Sequence, residues 1–136
     1  MCDVQPTVHN NVATAHNGHI ANYDFLKSEL EKKGYVFDST VDSEPLAYMI
    51  SEQMKKISNK GNEKEFDQAI EGAVREIIQK AEGAYSDVAI IDGKLVVFRD
   101  PLAIRPLCYG ENEDFICFAS ETVALDINNI PYKGIS

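Results

Sequence analysis

Three groups of residues in this sequence have the types and positions that acyl-transfer chemistry needs. Cys2 stands one residue from the start. Loss of the initiator methionine before this small residue would leave an N-terminal cysteine. Its own α-amino group, with an ordinary pKa of about 7.7–8.0, could then take the thiol proton. The resulting thiolate attacks acyl carbons and needs no separate histidine base. The plain alternative is an ordinary Met-Cys start with no chemistry. Asn17-Gly18 offers a side-chain amide next to a backbone N–H that glycine lets face a ligand. Two such neutral donors suit the oxyanion of a tetrahedral intermediate, although Asn-Gly is also the commonest type I′ hairpin turn. In "VDSE", Asp42 and Glu44 read as acids at a helix N-terminus. A carboxylate at a strand-to-helix junction could equally bind a substrate ammonium.

Other reactive side chains point nowhere so definite. His9, His16 and His19 lie within eleven residues of one another, and His16 and His19 have i, i+3 spacing, but no third ligand motif supports a metal. No metal and no cofactor are expected. Cys108 and Cys117 flank "ENED", which reads as a hairpin loop. A loop of residues 111–114 would set the two cysteines opposite each other. In a reducing compartment they read as two buried free thiols.

The 136 residues suit one domain, and 44% apolar residues suffice for one core. No segment has the length and apolarity of a membrane span or a secretory leader, so a cytoplasmic location is expected. Twenty-two acidic residues against thirteen basic ones give a net charge of −9. Nucleic acid and anionic membranes are poor partners for such a surface, which leaves small molecules and other proteins.

These residues need elements to hold them. Residues 3–11 read as irregular and 12–16 as a short strand that turns at His16-Asn17-Gly18. Asn22 can cap a helix from Tyr23 to Lys33, followed by a short strand "YVFD". Asp42 or Ser43 caps a second helix, 44–57, whose Pro45 falls in the first turn. The third helix, 63–81, carries Phe66, Ile70, Ala73, Val74, Ile77 and Ala81 as a wide apolar stripe. The period then changes. Residues 84–92 and 94–100 flank an Asp92-Gly93 turn, a strong hairpin signal. Residues 105–110 and 114–120 make a second hairpin, and 120–127 form a short helix capped by Ser120. The last residues, "PYKGIS", read as loop. Helices followed by a four-strand antiparallel meander predict an α+β layered domain.

Taken together, Cys2, "AHNGHIANYDFLKSELEKKGYVFDSTVDSEPLAYMI", "EGAYSDVAIIDGKLVVFRDPLAIRPLCYG" and "FASETVALD" resemble the class II glutamine amidotransferase domain. "HNGHIANY" with "DSE" suits several branches of that family. "RDPLAIRPLCYG" is most similar to the amidophosphoribosyltransferase branch of purine synthesis. The resemblance implies an N-terminal nucleophile hydrolase fold, an αββα sandwich, spanning residues 1–136. It also implies that Cys2 attacks the glutamine side-chain amide, releases ammonia and leaves a γ-glutamyl thioester for water. Asn17 and Gly18 would form the oxyanion hole, and Asp42 would bind the glutamine α-ammonium. Arg99, Asp100 and Arg105 would be structural, with a buried arginine–carboxylate pair. Glutamine, a phosphoribosyltransferase or other synthase domain, and a second copy of the chain are the implied partners.

The sequence also departs from the pattern. Family members begin Met-Cys-Gly-Ile and carry a Gly-His-x-Arg-Tyr or Gly-His-x-Arg-Trp strand whose arginine clamps the glutamine α-carboxylate. Here Cys2 runs into "DVQPTVHNN", no arginine precedes Arg75, and Ala103 stands where the motif usually has glycine. The expectation is therefore a partial domain and an incomplete sandwich. The alternative function is a non-catalytic interaction or regulatory remnant without the clamp.

Overall fold

The computed structural model describes residues 3–58 and 61–135. Cys2 lies outside them. The elements run β1 (Thr7–His9), β2 (Val12–Ile20), α1 (Tyr23–Lys32), α2 (Glu44–Met54), α3 (Glu63–Lys80), β3 (Gly83–Ile91), β4 (Lys94–Arg99), β5 (Cys108–Glu111), β6 (Ile116–Ala119), α4 (Val123–Ile127) and β7 (Tyr132–Ile135).

Two antiparallel sheets form, in the orders β1-β2-β3-β4 and β6-β5-β7. The expected single meander is thus divided. Its first hairpin completes the sheet of β1 and β2, and its second belongs to the other sheet. Two further strands arise where loop was expected, β1 pairing with β2 and β7 with β5. Residues 35–38, read as a strand, are irregular. The Asp92-Gly93 turn forms as expected, with φ of 46° and 86° between the paired Ile91 and Lys94, as a type I′ turn requires.

Alternation along the strands assigns the two faces of the large sheet. Val12, Thr14 and Ile20 of β2 share one face with Tyr85, Asp87, Ala89 and Ile91 of β3, and all are buried. Helices α1–α3 cover that face through Leu26, Leu30, Leu46, Ile50, Phe66, Ile70 and Ile77. Helix α2 is buried along most of its length, so its sequence lacks the one-sided stripe that α3 displays. Asn62 caps α3 by accepting from the Glu65 N–H at 3.3 Å. Asn22 precedes α1 but makes no capping bond. It donates to the Lys80 carbonyl at 2.7 Å and accepts from the Glu82 N–H at 2.9 Å, joining α1 to the α3–β3 junction.

The opposite face of the large sheet meets the second sheet. Ser86 donates to the carbonyls of Arg105 or Pro106, and Asn17 donates to the Ser120 hydroxyl at 3.0 Å. Behind the second sheet, Leu125 of α4 packs with Cys108 and Ile130. The layers are therefore helix, sheet, sheet, helix, with the sandwich left partly open. Val88, Ile90 and Leu95, on the inner face, are 36%, 52% and 54% exposed. Both Cys108 and Cys117 are free thiols. Their register differs from the expected one, because Cys108 pairs with Ala119 and Cys117 with Gly110.

The loop before α2 is built on Glu44, which is 3% exposed. Its carboxylate accepts from the N–H groups of Asp38 and Ser39, the Ser39 hydroxyl and the Tyr48 hydroxyl. Burial works to raise its pKa, but the donors of Ser39, Asp38 and Tyr48 outweigh it and hold the group below the usual range. This bonding contributes stability above pH about 4, lost as pH falls through the depressed native pKa. Glu44→Ala is expected to lower the unfolding free energy by about 3 kcal/mol, since buried donors lose their acceptor. Urea denaturation checks this, and a loss below about 1 kcal/mol would contradict it.

Candidate functional site

Asn17-Gly18 does not turn the chain. Strand β2 continues through both residues to Ile20, paired with β3 as Asn17↔Ser86 and Gly18↔Tyr85. Local turn preference yields here to a nine-residue register with β3. Glycine is needed at 18 for room. A Cβ there would lie 2.1 Å from the Ala84 carbonyl oxygen and 2.6 Å from the Tyr85 Cα, at a φ of 154°.

Strand β1 pairs only with residues 12–14, so residues 15–20 of β2 have no strand neighbour on that edge among the described residues. Side chains take over there. The His16 N–H donates to Gln5 Oε1, and the Ile20 N–H donates to Asp42 Oδ2 at 2.8 Å. Gly18 lies midway between these two, and strand alternation directs its N–H to the same edge.

Asp42 sits just before α2 with its side chain 19% exposed. Its Oδ1 is 2.7 Å from His16 Nε2 and its Oδ2 is 3.5 Å from His19 Nδ1. The carboxylate thus bridges His16 and Ile20, two residues either side of Gly18. The Asn17 side chain reaches Ser120, beside a cleft of about 260 Å³ lined in part by His16, Ser86, Leu107 and Phe118. Of the residues singled out in the sequence, the structure gathers Asn17, Gly18 and Asp42 around the second half of β2. Cys2 is outside the described residues. Ser120, expected as a helix cap, is instead the partner of Asn17, while Thr122 stands at the start of α4.

Behind His16 is a group the sequence reading missed. Asp87 is fully buried opposite His16 on β3, and neither of its oxygens has a hydrogen-bond partner among the described residues. Its Oδ1 is 3.8 Å from His16 Nδ1, which likewise has no hydrogen-bond partner among the described residues. Burial, with the Asp42 charge nearby, raises the Asp87 pKa to about 8. Burial depresses His16, against the pull of Asp42. The Tyr85 hydroxyl is pushed up to about 12 by burial and by Asp87 and Asp100. No local signal marked the His16–Asp87 pair, which only the β2–β3 register brings together.

Asp100 is buried too, but no arginine pairs with it among the described residues, contrary to expectation. Its carboxylate accepts from the N–H groups of Tyr85, Leu102 and Ile104 at 3.0–3.3 Å. These contacts close the loop after β4, where Ala103 takes a φ of 54°.

Residues 1–127 match the glutamine amidotransferase domain family, and the chain belongs to that family. It is 39% identical to the amidophosphoribosyltransferase of Methanocaldococcus jannaschii over 115 residues, 85% of this chain and 22% of the relative. It is 36% identical to the chloroplastic amidophosphoribosyltransferase 2 of Arabidopsis thaliana over 136 residues, 96% of this chain and 22% of that protein. Among solved structures, the glutamine phosphoribosylpyrophosphate amidotransferase of B. subtilis superposes with a TM-score of 0.76 at 30% identity, covering 98% of this chain and 28% of that one. The fold is that of the glutaminase domain, an N-terminal nucleophile hydrolase sandwich. The chain spans less than a third of the relatives it matches. Among the described residues no helix is long and apolar enough to cross a membrane.

Two substitutions test this geometry. Gly18→Ala is expected to destabilise the fold by about 3 kcal/mol, because the new methyl must displace β3 backbone; chemical denaturation measures it. The second concerns pH. A carboxyl raised from about 4 unfolded to about 8 folded stabilises fully below the lower value and loses that contribution as pH rises through the upper. His16, depressed in the fold, acts in the opposite sense below about pH 6.5. Between pH 6.5 and 8 the melting temperature should therefore fall, and Asp87→Asn should remove that slope. An unchanged slope in the variant would contradict the assignment.

Proposed function

We propose that residues 1–136 form a partial type 2 glutaminase domain of the amidophosphoribosyltransferase kind. In this reading it hydrolyses glutamine to glutamate and ammonia for purine synthesis in the cytoplasm, and a phosphoribosyltransferase or other synthase domain takes up the ammonia. The observation that carries the proposal is the Asp42 bridge. It sets a carboxylate beside the edge on which Gly18 presents its N–H, with the Asn17 amide adjoining.

The residue roles follow from charge. Asp42 receives the α-ammonium of glutamine on lone pairs that His16 and Ile20 leave unused. Cys2 is the nucleophile toward the side-chain carbonyl, whose developing oxyanion accepts from Gly18 N–H and Asn17 Nδ2–H. Ser120 takes one amide hydrogen of Asn17 and leaves the second for the oxyanion. Collapse of the adduct expels ammonia, and water then releases glutamate from the thioester.

A cysteine-directed glutamine analogue, read by intact mass and peptide mapping, tests this together with a glutamate-release assay. The expected results are an adduct on Cys2 with Met1 removed, and a loss of about 100-fold in turnover for Asn17→Ala. A chain that keeps Met1, takes no adduct and releases no glutamate would overturn the proposal.

A further inference from the structure

We infer that Asp87 is a positioning residue: it stands as a buried carboxylic acid that fixes the tautomer of His16, and His16 in turn orients the Asp42 carboxylate. This rests on Asp42 being the glutamine ammonium site.

Geometry leads to it in three steps. His16 Nε2 lies 2.7 Å from a carboxylate oxygen of Asp42, so Nε2 carries a hydrogen. In a neutral ring the other nitrogen then presents a lone pair, and that nitrogen faces Asp87 Oδ1 at 3.8 Å. Two acceptors facing each other in a dry interior are unfavourable unless a proton lies on one of them. Either Asp87 is the acid, or His16 is an imidazolium between two carboxylates.

The surroundings select the first arrangement. An ionised Asp87 would need donors, and among the described residues it accepts from none. Phe98 stands beside it on β4, and Tyr85, whose hydroxyl has no hydrogen-bond partner among the described residues, precedes it on the same face of β3. The charged or titratable groups acting on the pair are Asp42 before α2, His19 on β2 and Arg105 after β4. Arg105 makes no ion pair with Asp87 among the described residues. Burial disfavours the charged form of both partners, so the proton stays on oxygen and His16 remains neutral.

The consequence is orientation without added charge. A neutral Nε2–H tautomer gives Asp42 a fixed donor while leaving its negative charge for the ligand. An imidazolium there would offset that charge and weaken attraction for an ammonium.

The test is ¹⁵N NMR of the histidine rings in the full chain, combined with calorimetric titration of glutamine. At pH 7 His16 should show hydrogen on Nε2 only. Protonation of both nitrogens, or of Nδ1 alone, would overturn the inference. His16→Ala should weaken glutamine binding about tenfold, and His16→Gln, which restores a donor toward Asp42, should recover most of it. Asp87→Leu should weaken glutamine binding about tenfold by freeing the His16 ring, and Asp87→Asn, whose amide keeps a hydrogen toward Nδ1, should recover most of it. Equal affinity in wild type and Asp87→Leu would overturn the role of Asp87. If wild-type protein shows the Nε2–H tautomer yet binds no glutamine, the positioning chain is supported and the glutamine reading of Asp42 alone is refuted.

Discussion

The edge of β2 beyond Thr14, which no strand covers among the described residues, is the constraint on which the rest of the site depends. A strand that loses its neighbour halfway along exposes alternate N–H groups, and each needs an acceptor. Gln5 serves the N–H of residue 16 and Asp42 that of residue 20. The same Asp42 contact that satisfies the edge also fixes the segment before α2, and through His16 ties it to the face of the sheet. Meeting the bonding needs of the backbone and building a polar site are thus one operation here. The helical layer then holds the arrangement, because α2 is buried against β2 from its first turn.

Buried carboxyl groups show how one chemical group is accommodated in different ways a few residues apart. Glu44 is satisfied by side-chain and backbone donors in its own loop. Asp100 is satisfied by the amides of the turn it closes, and backbone donors hold its pKa down against burial. Asp87 has neither kind of donor among the described residues, and a proton is the remaining means of reducing its cost. Net charge gives no hint of these differences. They depend on which N–H groups the chain turns toward each oxygen.

What could be read in the sequence followed from periodicity. Helix α3, with its stripe of Phe66, Ile70, Ala73 and Ile77, and the Asp92-Gly93 hairpin repeat a pattern long enough to outweigh chance, and both formed as read. Asn17-Gly18 misled, because a dipeptide records a local preference while the nine-residue pairing of β2 with β3 is a non-local energy. Strands β1 and β7 are three and four residues long, too short to establish a period. Division of the meander into two sheets is decided in the loop 100–107, by Asp100 and by the bonds from Ser86 to its far end. The grouping of Asn17, Gly18 and Asp42 around the second half of β2 was legible through the motif that contains them. In the sequence His16 offers only metal-ligand spacing with His19 and a place beside Asn17-Gly18. Asp87 looked like one polar residue in an alternating strand.

The turn at Ala103 has a mechanical meaning. A left-handed backbone at a residue bearing a methyl carries a standing strain of about 1–2 kcal/mol, which glycine would not. Its own preference therefore pushes the turn open, and the Asp100 carboxylate holds it shut through the N–H groups on either side. The connection between the two sheets works as a sprung catch. Asp100 is its latch at the turn, and the Ser86 hydroxyl secures the far end.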